Sequence, residues 1–139
     1  MTLPDPEPGL VFRYDYLWLR ESRKGKDASK ERPACLAVAT DSAIEPRLVV
    51  ILPITHSVPA GETIGIEIPV NIRRHLGLDD QRCWIIVSES NIDTWPNPGI
   101  SPVRGKTGTF AHGILPAAFF AAVKERMLRH MDVRRSVRR

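Results

Sequence analysis

The sequence predicts a mainly β domain with helices (α+β): a compact, strongly bent sheet or small barrel of mostly antiparallel strands, with a C-terminal helix. Three observations carry this. Residues 10–18, LVFRYDYLW, alternate large apolar side chains with Val11, Arg13 and Asp15, the period-two pattern of a half-buried strand. Residues 33–40 and 47–54 are two nearly continuous apolar runs joined by a polar turn, as in a hairpin covered on both faces. After Pro116, Phe120, Val123 and Met127 recur at helical spacing, one apolar face for the core. About five or six strands with turn signals, followed by a helix, make a bent sheet with helical decoration.

The elements follow in order. Residues 1–8 hold three prolines and read as an extended arm, with the domain at 9–131 and a basic tail at 132–139. Residues 20–31, RESRKGKDASKE, are too charged to build a core and read as a flexible loop, bringing Arg23, Lys24, Lys26 and Lys30 close before Arg32. The strand at 33–40 turns at 41–46 and returns at 47–54. Pro53 removes a ladder donor and predicts an edge or bulge there. A short strand at 63–68 is followed by one or two helical turns ending at Gly77. RCWIIVS at 82–88 is a further strand, and the polar run 88–91 is expected at a rim. Residues 95–113, with four glycines and three prolines, read as an irregular excursion, and a helix of about 16 residues opens at Pro116.

Composition narrows the function. A chain of 139 residues, 42% hydrophobic and 26% charged, is an ordinary globular domain. No apolar run approaches the roughly 20 residues that span a bilayer, and MTLPDPEPGL shows no basic-then-apolar leader. A cytoplasmic protein with no membrane partner is expected. Cys35 and Cys83 lie in apolar runs without metal-ligand spacing and read as reduced core residues. The net charge of +4 is concentrated at the end, where residues 124–139 hold seven Lys/Arg against Glu125 and Asp132. Such a tail suits nucleic acid or an acidic partner, or is simply a solvated terminus.

Chemistry gathers at 32–57. Antiparallel pairing brings the start of one strand beside the end of its partner, about 5 Å away. Arg32 therefore neighbours Thr55 and His56 at one rim. Other site types fit poorly. The four histidines are scattered without ligand spacing, so no metal and no cofactor is expected. There is no G-x-S-x-G, and RGKTG at 104–108 has five residues between Gly99 and Gly105 where a phosphate loop needs four. What the trio suits is cleavage of RNA through its own 2′-hydroxyl. A guanidinium grips phosphate oxygens with a planar fork, a threonine hydroxyl adds a donor, and an imidazole moves protons near neutral pH.

Gly9-Leu10-Val11 opening a first strand, a charged loop, Arg32-Pro33-Ala34 starting an apolar strand, then LVVILPITHS and WIIVSESN together resemble the MazF/PemK family of toxin endoribonucleases. The likeness follows the order of elements over residues 9–130, with three short segments carrying it. It implies an SH3-like small barrel, usually a homodimer, that cuts single-stranded RNA without metal and leaves a 2′,3′-cyclic phosphate and a 5′-hydroxyl. It also implies a cognate antitoxin protein that blocks the groove. The family's catalytic arginine and threonine match Arg32 and Thr55, with His56 assisting. Arg13, Tyr14, Lys24, Ser57, Glu89 and Asn91 are the groove candidates for contacting unpaired bases. Departures from the family are Leu10, where an acidic residue is frequent, and the long excursion with Trp95-Pro96. The alternative is a non-catalytic binder on the same fold, either a gyrase-poisoning toxin or a degenerate regulatory relative.

Overall fold

A computed structural model describes residues 3–25 and 30–139. Among these the chain runs β1 (Leu10–Tyr14), α1 (Leu19–Arg23), β2 (Arg32–Ala39), β3 (Leu48–Thr55), β4 (Gly65–Glu67), α2 (Val70–His75) and β5 (Trp84–Ile86). It continues through β6 (Ser90–Thr94), β7 (Ile100–Ser101), β8 (Ala111–Ile114), α3 (Ala117–His130), a 3₁₀ turn (Val133–Arg135) and β9 (Ser136–Arg138). The strands form one bent, unclosed sheet in the order β4-β5-β3-β2-β1-β7, with β6 also on β3, β8 also on β1, and β9 on β6. Every pairing is antiparallel except β6 with β9. This is the mainly β, helix-decorated architecture that the periodicity predicts.

The hairpin β2–β3 is central because its residues are apolar on both faces. Val11, Cys35, Ala37, Leu52 and Ile54 belong to one buried cluster, completed by Ile72 and Leu76 near α2 and by Val123 and Met127 of α3. Phe12, Tyr14, Ala34, Leu36 and Ile51 belong to a second, against which Trp18 and Trp95 pack. Pro53 stands where β3 changes its outer neighbour, from β6 at Leu48–Ile51 to β5 at Ile54 and Thr55. A residue with no N–H fits the point where one ladder ends and the next begins. Both cysteines are buried and unpaired. Burial pushes the Cys35 thiol up to about 12 and the Cys83 thiol up to about 11, so both remain protonated.

Several local expectations are corrected. The first strand ends at Tyr14 rather than at Trp18. The charged run after it opens with the short helix α1; Lys26 lies outside the described residues. The excursion at 95–113 supplies β7 and the start of β8. The run 88–91 does not end at an exposed rim: Ser88, Glu89, Ser90 and Asn91 are all buried, and β6 begins among them. The basic tail is no free tail. Its Arg139 donates to the Tyr14 hydroxyl at 2.9 Å and to the Asp15 carbonyl at 2.8 Å, and β9 extends the sheet. No helix among the described residues is long and apolar enough to cross a membrane.

Candidate functional site

The β2–β3 register pairs Ala34 with Pro53 and Cys35 with Leu52. Continued two residues outward, it sets Arg32 across from Thr55, beyond the last ladder pair. Two clefts meet there. The larger, about 810 Å³, is lined by Trp18, Arg20, Arg32, Thr55, Ser57 and Glu89 among others. The smaller, about 450 Å³, is lined by Arg13, Glu31, Arg32, Thr55, His56 and His112 among others. Arg32, Thr55 and Lys30 border both, so they form the saddle between the two.

Arg32 is only partly exposed, and its guanidinium lies 5.2 Å from the Trp18 ring centroid; Arg20 lies 5.3 Å from the same ring. Aromatic faces hold guanidinium groups in this way and fix their orientation. Among the described residues Arg32 forms no ion pair, and its buried Nε has no hydrogen-bond partner. Burial first, then the charges of Arg20 and Arg13, lower its pKa. A half-buried cation with no ion pair among the described residues suits an anion.

Thr55 Oγ1 accepts from the Ser57 amide at 3.1 Å, which leaves the hydroxyl proton free to donate outward. Glu89 is 8% exposed. One of its oxygens, Oε2, accepts from the Tyr16 hydroxyl at 3.1 Å and from the Leu19 amide at 2.9 Å. The other, Oε1, has no partner among the described residues, and Glu89 lines the larger cleft. Burial raises its pKa against the pull of those two donors. His56 is held differently from a free base. Nδ1 lies 2.9 Å from the Arg82 carbonyl and Nε2 lies 2.9 Å from Asp79 Oδ2. Both ring nitrogens are thus engaged within the protein, and neither is free to face a substrate proton.

The predicted groove residues divide. Arg13 lines the smaller cleft, with its guanidinium 3.3 Å from Glu31 Oε1. Ser57 and Glu89 line the larger. Lys24 caps α1, is exposed and borders neither. Tyr14 and Asn91 are both 0% exposed and border neither cleft. Tyr14 donates to Asp93 at 2.7 Å. Asn91 clasps the backbone of Leu17, accepting from its amide at 2.9 Å and donating to its carbonyl at 2.8 Å.

Sequence reasoning missed Trp18, Arg20 and His112. Trp18 falls in phase with the core aromatics, so its alternation assigned it to the interior. Arg20 was one charge in a charged run, and its only signal was proximity to that tryptophan. No family model, no curated protein and no solved structure matches the chain, so the reading of this site rests on its own geometry.

Proposed function

We propose that this chain is a toxin-type endoribonuclease of the MazF/PemK kind, cutting single-stranded RNA by transphosphorylation from the RNA's own 2′-hydroxyl. The observation that carries the reading is the saddle. A guanidinium with no ion pair among the described residues and a threonine hydroxyl both border the two clefts where they join. A linear polymer threading both clefts places a backbone group there, with a nucleotide to either side.

In this reading Arg32 grips the scissile phosphate and Thr55 donates to the phosphorane as its charge grows. Glu89 Oε1 takes the proton from the attacking 2′-oxygen, burial making it a stronger proton acceptor than a free carboxylate. The 2′-oxygen forms a bond to phosphorus while the bond to the 5′-oxygen breaks. The leaving oxygen is protonated from Arg32, whose burial moves its acidity in the required direction. His56 lines the smaller cleft with both ring nitrogens engaged, so its part in this reading is to shape the cleft's mouth. The products are a 2′,3′-cyclic phosphate and a 5′-hydroxyl. The same reading carries a homodimer and a cognate antitoxin occupying the clefts.

The test is incubation with mixed single-stranded RNA in excess chelator, followed by mapping of the new ends. Cleavage leaving 5′-hydroxyl termini, lost in Arg32→Ala and reduced about a hundredfold in Thr55→Ala, is the expected result. No cleavage, with growth arrest persisting in both variants, would establish the non-catalytic binder instead.

A further inference from the structure

The chain has two tyrosines, and each donates to a carboxylate: Tyr14 to Asp93 at 2.7 Å, Tyr16 to Glu89 at 3.1 Å. The two pairs differ in what their carboxylates can reach. Neither Tyr14 nor Asp93 borders either of the two clefts, whereas Tyr16 and Glu89 both line the larger one.

The two oxygens of Glu89 have different surroundings. Oε2 accepts from the Tyr16 hydroxyl and from the Leu19 amide at the start of α1. Oε1 forms no hydrogen bond among the described residues, and it is not one of the sealed, unpartnered side-chain atoms, so it meets the solvent of the larger cleft. Turning the carboxyl group would break both bonds on Oε2, so the pair of donors keeps Oε1 directed outward. Tyr16 itself is 2% exposed and packs edge-on against Trp18, with ring centroids 5.2 Å apart. Burial first, then Glu89, holds its pKa well above the ordinary value, so its hydroxyl remains a donor at any working pH. Besides Tyr16 and the Leu19 amide, the charges of Arg135 and Arg20 act on Glu89, and Glu21, Lys30 and Arg32 line the same cleft. Tyr14 and Arg139 are the further groups that act on Tyr16.

We infer that Tyr16 is a positioning residue for cleavage, its hydroxyl holding Glu89 with Oε1 turned into the larger cleft to meet the attacking 2′-hydroxyl. This rests on the RNA reading above, in which Glu89 accepts that proton. The bond has a second effect. A donor on a carboxylate favours its charged form, so Tyr16 keeps Glu89 able to accept a proton at lower pH than burial alone would allow.

The test is the pH profile of kcat/KM for cleavage of single-stranded RNA by wild type, Tyr16→Phe and Tyr14→Phe. Losing one of two donors disfavours the carboxylate. The acid limb of Tyr16→Phe should therefore move to higher pH by about one unit, with activity on that limb down about tenfold. Tyr14→Phe removes the same kind of bond away from the clefts and should leave the limb in place. A limb unmoved in Tyr16→Phe, or moved equally in both variants, overturns the positioning role and leaves the nuclease reading intact. If Tyr16→Phe fails to fold, a ring-fluorinated tyrosine at position 16, a stronger donor of nearly the same shape, decides the matter. It should move the limb to lower pH, and an unmoved limb overturns the role. Wild type that cuts no RNA defeats the nuclease reading and this role together.

Discussion

At Arg32 the chain places a half-buried cation over the Trp18 ring, with no ion pair among the described residues. In the proposed reaction the saddle uses the planar fork as well as the charge. Arg32→Lys keeps the charge but loses the planar pair of donors, so cleavage should still fall by about a hundredfold. Thr55→Val, which preserves shape and deletes the donor, should lower kcat with little change in KM, read in single-turnover and steady-state assays together. Glu89 makes a prediction in pH. Its folded pKa lies above the ordinary 4.5, so the native state holds a proton that the unfolded chain has released. Stability therefore declines as pH climbs from that value through the raised one, and the loss is complete above it. Urea denaturation across this range should show the decline, and Glu89→Gln should flatten it while abolishing cleavage. Glu31 has the opposite sign. The Ser101 hydroxyl, with Arg13 and Arg104 beside it, lowers its pKa, so its contribution is present above 4.5 and lost on acidification through the folded value.

Among the elements, the central hairpin was legible because its residues are apolar on both faces; at Pro53, where an edge or bulge was expected, β3 continues and changes its outer partner, and the register shift lies between Leu36 and Val38. The strand β6 was not. Ser90 and Asn91 are buried through specific hydrogen bonds, Ser90 Oγ to Ser136 at 2.8 Å and Asn91 to Leu17, and hydrophobic periodicity cannot register polar groups satisfied by distant partners. The strand β7 lies so close to β1 that a Cβ on Gly99 would fall 2.0 Å from Asp15 Oδ1 and 3.0 Å from the Tyr14 ring. Gly99→Ala should cost about 1–3 kcal/mol in chemical denaturation. The C-terminal strand makes a similar claim. Arg139→Ala removes the donor shared by Tyr14, Asp15 and Asn91 and should cost about 2 kcal/mol. A salt-independent loss of stability would identify that arginine as structural rather than as an RNA contact.

Across the whole molecule, the sheet separates two apolar clusters and holds the candidate site at the rim where β2 and β3 leave their ladder. That much follows from the order of residues: apolar hairpin, arginine at one end, threonine at the other. The opposite wall does not, because it depends on contacts between residues 15–19 and residues 89–91, 70 to 74 positions apart. The strip holding Trp18 is not stitched to β6 by backbone pairs; it hangs from the side chains of Glu89 and Asn91, which grasp the main chain of Leu17 and Leu19. A wall suspended by two hooks can be repositioned by trimming a hook, whereas a laddered strand moves only with its sheet. Shortening Asn91 to serine would let the tryptophan swing outward and widen the channel, changing how bulky a guest it admits while the scaffold stays as it is.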